Sequence, residues 1–226
     1  MANKTYGYEE RSILTRRGPI AARLYRPVRP VNAAAIFVGG VGGGFDTPAR
    51  ELYPRVCEEL AAEGVTCLRV RFRHSTLLEE SIHDVRAGLD FLADEGIERF
   101  GLVGHSFGGA VVIGAALDEP RVRLLVTLAT QGYGTEEVHR LGPRCALLSV
   151  HGTDDEVLAP TNSVYTYERA NEPRRLLLLP GARHLLDEAA EEVHGIVLSW
   201  LSCLREEDPT RCLVTGGSSV PPAPPP

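Results

Sequence analysis

One serine stands between glycines in Gly104-His105-Ser106-Phe107-Gly108-Gly109, directly after the strand-like run FGLV and directly before the apolar segment Phe107 to Leu117. G-x-S-x-G in that setting is a turn so tight that only glycine fits at positions 104 and 108, and it lifts the Ser106 hydroxyl clear of its surroundings. The following helix start adds partial positive charge, and the Phe107 N–H faces a developing oxyanion. A serine hydroxyl is a poor nucleophile until a base takes its proton, so a histidine and an orienting carboxylate must follow. His184 in LLLLPGARH and the adjacent pair Asp154 and Asp155 in HGTDDEV meet that need, each just past an apolar run. Of the other histidines, His105 fills the variable place in the turn, His151 ends a strand-like run, His194 lies inside a helical pattern, and His83 and His139 have no motif around them.

An oxyanion also needs a second backbone donor, from a loop of small residues that can approach the substrate. The stretch IFVGGVGGGFD, residues 36–46, supplies one, with Gly40, Val41 and Gly42 as candidates for the donor and the substrate-facing backbone. The same glycines do not make a nucleotide cradle, because no Lys-Ser/Thr pair closes a P-loop and no acid follows at dinucleotide spacing. No H-E-x-x-H, Cys/His cluster or Asp-rich loop suggests a metal, and the chemistry outlined needs neither metal nor cofactor.

These residues must be held by something rigid. Strand patterns fall at residues 20–25, 33–38, 65–72, 99–103, 122–129, 144–150 and 174–179, separated by helical patterns. Leu78, Ile82, Val85, Leu89 and Leu92 draw one apolar stripe, and Val193, Ile196, Val197, Trp200, Leu201 and Leu204 another. Residues 107–117 are apolar nearly all round, as in a helix buried against the centre of a sheet. The alternation predicts an α/β fold, a mostly parallel, doubly wound sheet with helices on both faces. One domain is expected over residues 1–206, with a Pro/Gly/Ser-rich tail over residues 207–226.

Twenty-four Lys plus Arg against 30 Asp plus Glu leave a net charge of −6, which repels polyphosphate and argues against a nucleic-acid partner. No apolar run reaches the ~18 residues of a membrane span, and the N-terminal residues lack an apolar leader core, so a cytoplasmic protein without membrane contact is expected. The five cysteines, odd in number and without a C-x-x-C pair, read as reduced thiols.

The chain resembles small bacterial α/β-hydrolases of the dienelactone-hydrolase-like serine esterase kind, on the motifs VGGVGGGFD, LRVRFRHS, GHSFGGA, HGTDDEV and GARH between about residues 20 and 204. The resemblance implies that fold, a Ser106, Asp155 and His184 triad in the order the fold produces, and oxyanion donors at Phe107 and Val41. It selects Asp155 over Asp154 through the H-G-x-x-D spacing, and it sets Arg73 and His74 at the rim of the site. Arg73 either recognises an anionic substrate group or forms an ion pair, with Asp84 as the partner. Two departures stand out. Gly39-Gly40 replaces the His-Gly that relatives carry before the oxyanion residue, and the elbow bears serine where dienelactone hydrolases bear cysteine, which points to ordinary esters. Only fourteen residues, QGYGTEEVHRLGPR, occupy the usual lid position, so no cap domain is expected. The implied partner is a small-molecule ester with a short acyl chain or a bulky group; thioester, perhydrolase or C–C hydrolase chemistry, or a non-catalytic interaction module, are the alternatives.

Overall fold

The computed structural model describes residues 7–215. Eight strands form one sheet in the order β1-β2-β4-β3-β5-β6-β7-β8. β1 (Glu9–Ile13) and β2 (Ile20–Tyr25) form an antiparallel edge, whereas β3 (Ala33–Val38), β4 (Thr66–Val70), β5 (Arg99–His105), β6 (Val122–Leu128), β7 (Ala146–Gly152) and β8 (Arg174–Leu179) run parallel to one another.

The central strands are apolar on both faces because helices cover both. Along β3, Ala34, Ile36 and Val38 point into one core, and Ala33, Ala35 and Phe37 into the other, the period of two that a strand imposes. α2 (Leu78–Ala93) and α3 (Phe107–Ala116) fill the first core, with the expected stripe of α2 turned inward and every residue of α3 buried. α1 (Leu52–Ala62) and α5 (Ala190–Ser202) pack together on the other face. α4 (Thr161–Arg169) joins β7 to β8, and between β6 and β7 there is only one short 3₁₀ turn, Val138–Arg140, so no cap domain covers the sheet.

Three features depart from the sequence reading. β1 carries no alternating signal, since four of its five residues are exposed and only Ile13 is buried. The chain does not leave the fold at residue 207: α6 (Pro209–Thr215) follows, with Asp208 3.1 Å from Arg123. Cys203 and Cys212 form a disulfide across this junction, so the reading of all five cysteines as thiols is corrected; Cys57, Cys67 and Cys145 are free and buried. The remaining expected tail, residues 216–226, lies outside the described residues. Among the described residues no helix is long and apolar enough to cross a membrane.

The segment after β4 is fastened to α2 by a buried ion pair. Asp84, its side chain fully buried, accepts hydrogen bonds from Arg73 N at 2.8 Å and Arg73 Nε at 2.6 Å. Arg73 Nη1 donates to Arg17 O at 2.6 Å and Nη2 to Glu80 at 3.1 Å. Removing Asp84 leaves the Arg73 backbone N–H and Nε without an acceptor in a buried setting, at a cost of about 3–5 kcal/mol. Asp84→Ala is therefore expected to lower the urea midpoint by an amount equivalent to at least about 3 kcal/mol, and a loss below about 1 kcal/mol would show that the pair does not anchor this segment.

Candidate active site

Ser106 sits where β5 hands over to α3, with φ 55° and ψ −119°, a conformation that L-residues avoid. The glycines around it are required by contact. A Cβ on Gly104 would lie 2.1 Å from Gly108 O, one on Gly108 2.3 Å from Gly39 O, and one on Gly109 2.2 Å from Thr130 Oγ1. Ser106 N donates to Leu128 O at 2.8 Å, tying the turn to the end of β6.

The loops after β7 and β8 bring an acid to a base. His184 Nδ1 and Asp155 Oδ2 are 2.8 Å apart. An ionised carboxylate only accepts, so Nδ1 carries the proton and Nε2 is left as the basic nitrogen. Asp155 Oδ1 accepts the Val157 and Leu158 N–H groups, both at 2.8 Å. Burial acts to raise the Asp155 carboxyl, but the Leu158 N–H, the His184 ring and the Val157 N–H outweigh it and hold the group below its usual range. Asp154 is exposed and accepts from Thr153 Oγ1 at 2.9 Å, so the two candidate acids part company: Asp155 meets His184 and Asp154 does not.

Two further histidines brace this pair. The His105 ring lies against that of His184 with centroids 4.8 Å apart, and its Nε2–H donates to His184 O at 3.0 Å. His151 is fully buried, with Nε2 3.0 Å from both Leu158 O and Asp155 Oδ2 and Nδ1 2.7 Å from Ser163 Oγ. His194, His139 and His83 lie elsewhere: His194 faces Glu59 at 3.1 Å, His139 approaches Glu136 O, and His83 lines a separate cleft.

The glycine loop after β3 lies across the elbow. A Cβ on Gly40 would be 3.3 Å from Ser106 Cβ. Three side chains hold its carbonyls: Tyr53 OH donates to Val38 O at 3.0 Å, Ser75 Oγ to Val41 O at 2.9 Å, and Arg69 Nη2 to Phe45 O. Residue type alone did not single out these anchors, because tyrosine, serine and arginine beside a strand carry no spacing rule. Among the described residues the N–H groups of Phe107 and Val41 are spent on no other acceptor; that of Phe107, first in its helix, has none within the helix.

A cleft of about 470 Å³ is lined by Gly40, Val41, Gly42, Thr47, Ser106, Val157, His184 and Leu185. A second, of about 610 Å³, shares the Val41 wall and runs past Phe107 between Leu77, Leu78, Gln131 and Tyr133. Arg73 and His74 join neither. Arg73 lines another cleft, beside β1, β2 and α2, with its guanidinium committed to Asp84, Arg17 and Glu80, so the ion-pair alternative describes it and the rim role does not. His74 is exposed, and its carbonyl accepts from Ser81 Oγ. Among the described residues no group of three or more His, Cys, Asp or Glu side chains is placed to hold a metal ion.

The buried imidazoles give the fold a pH dependence. Burial pushes His105 down to about 4, and it lowers His151 in the same direction. Between pH 4 and the ordinary histidine value the unfolded chain binds more protons than the native state, so stability is full near neutrality and is lost as pH falls through that window. For His105 alone the loss amounts to about 3 kcal/mol by pH 4. Denaturant titrations at pH 7 and pH 4.5 should show this fall, and His105→Asn should flatten it; an equal fall in the two proteins would contradict the assignment.

The fold agrees with the comparisons. The model of the alpha/beta hydrolase family matches residues 35–223. No curated protein matches the chain. Among solved structures, the esterase domain of a Rhodothermus marinus protein superposes with TM-score 0.70 at 22% identity, covering 87% of this chain and 98% of that one. A serine hydrolase without a lid from Xanthomonas campestris superposes with TM-score 0.68 at 18% identity over 86% and 94% of the two chains. Dienelactone hydrolase from Anabaena variabilis gives TM-score 0.69 at 19% identity over 86% and 96%. Identities this low speak to the fold, while the family model spans most of the sequence, and the chain belongs to the α/β-hydrolase family.

Proposed function

We propose that the protein is a serine hydrolase that cleaves carboxylic esters through an acyl-enzyme, with Ser106, His184 and Asp155 as its triad. The observation that carries this reading is the conjunction of a serine in a strained elbow with a histidine in the same cleft whose Nδ1 is bound by a buried carboxylate. In this scheme Ser106 Oγ attacks the carbonyl carbon while His184 Nε2 takes its proton. Asp155 stabilises the imidazolium, and the N–H groups of Phe107 and Val41 receive the oxyanion, each such donor being worth roughly 3–4 kcal/mol in the transition state. His184 then returns the proton to the leaving alcohol, and water repeats the sequence to free the acid. The substrate is a small-molecule ester, and the open site over a sheet without a cap suits short-chain or bulky substrates.

Ser106→Ala should lower kcat toward p-nitrophenyl esters by at least about a thousandfold with the fold intact, and His184→Ala similarly, because triad members act as a unit. Asp155→Asn should be harmful and Asp154→Asn nearly silent. Retained turnover in Ser106→Ala, or the reverse order of the two aspartates, would overturn the assignment.

Chain length supplies a second check. Each acyl methylene left in water forfeits roughly 0.8 kcal/mol, and the clefts open to solvent over a sheet without a cap. Across p-nitrophenyl esters from acetate to palmitate, kcat/KM should peak at about two to six acyl carbons and fall by about ten. A maximum at twelve or beyond would mean that walls other than those described enclose the chain.

A further inference from the structure

If His184 protonates the departing oxygen, the alcohol half of the ester must lie on the side of Ser106 that His184 lines. That side is the cleft walled by Thr47, Val157 and Leu185. The acyl chain leaves the carbonyl carbon in a different direction, and beyond the shared Val41 wall the second cleft opens past Phe107 between Leu77, Leu78 and Tyr133. Seven large apolar side chains are strongly exposed among the described residues, and five of them, Val41, Leu77, Tyr133, Val157 and Leu185, stand on these two clefts. Apolar side chains gathered around polar reacting groups make a ligand surface.

The charges at the two clefts are of one sign. No Lys or Arg lines either cleft. Glu79 and Glu80 border the acyl side and Asp46 the alcohol side. Glu80 is taken up by Arg17 and Arg73. Glu79 and Asp46 are exposed and make no ion pair among the described residues. A carboxylate on a substrate would therefore meet a like charge with no cation to receive it, which removes the anion recognition that Arg73 offered on sequence grounds.

Resting on the esterase reading above, we infer that the ester lies across Ser106 with its alcohol in the Thr47–Val157–Leu185 cleft and its acyl chain in the Leu77–Leu78–Tyr133 cleft, and that the site takes uncharged or cationic acyl groups and rejects carboxylate-bearing ones. Two ratios of kcat/KM test the partition: p-nitrophenyl hexanoate over acetate for the acyl side, and benzyl over methyl acetate for the alcohol side. Tyr133→Ala should lower the first at least about threefold and leave the second within about twofold, and Val157→Ala should do the opposite. The reverse pattern, or both ratios moving together in both variants, would overturn the partition. For charge, p-nitrophenyl hydrogen adipate is compared with the matched 5-(trimethylammonio)pentanoate ester. A unit charge at a solvated rim shifts a rate by about twofold to threefold, so the cationic ester should lead by about fivefold at low salt. Glu79→Gln should narrow the gap about twofold, and so should 0.5 M salt. Equal rates for the two esters, or a faster adipate, would overturn the charge preference. Absence of turnover on every ester would defeat the hydrolase reading instead, a result distinct from either of these.

Discussion

Ser106 holds a backbone conformation that costs on the order of 1–3 kcal/mol and is tolerated only where the surroundings over-determine it. Here they do so by contact. The carbonyls of Gly39 and Gly108 and the Thr130 hydroxyl occupy the volumes that Cβ atoms on Gly108, Gly104 and Gly109 would need. β5, the first turn of α3 and the loop after β3 therefore pack without intervening side chains. The apolar content of α3 follows from the same constraint, since a helix that begins at the centre of the sheet has neighbours on all sides. Gly40 follows as well, because a Cβ there would lie 3.3 Å from Ser106 Cβ.

Against that fixed point the acid and base arrive on loops that the sheet order makes neighbours. β7 and β8 follow β5 and β6 across the sheet, so the chain ends after β7 and β8 deliver Asp155 and His184 to the same rim. Asp155 is satisfied by two backbone N–H groups and the His184 ring, and His105 fixes the His184 backbone from beneath. A buried carboxylate with this many donors stays ionised, the state required to stabilise an imidazolium. A neutral, desolvated His105 adds no competing charge beside it.

Most of this was legible in the sequence where a local physical rule applied. β3 and β8 fall at their expected bounds because an apolar run between turn residues leaves little choice, and the elbow was legible because strand, glycines, serine and helix occur together. β1 was not legible, since an edge strand with one buried residue has no period to detect. The composition of residues 207–226 hid α6, whose attachment includes the Asp208–Arg123 pair and the Cys203–Cys212 disulfide. Arg73 shows the limit of motif reasoning: the segment that bears it matches a family pattern, yet buried Asp84 decides where its guanidinium points.

An activated Ser106 reacts with an electrophilic phosphorus centre, so covalent labelling reads its state directly. The protein is treated with a fluorophosphonate at neutral pH and digested, and the modified peptide is mapped by mass spectrometry. One stoichiometric adduct is expected on Ser106, formed much more slowly in His184→Ala. An unmodified Ser106, or labelling that does not depend on His184, would contradict an activated nucleophile at Ser106.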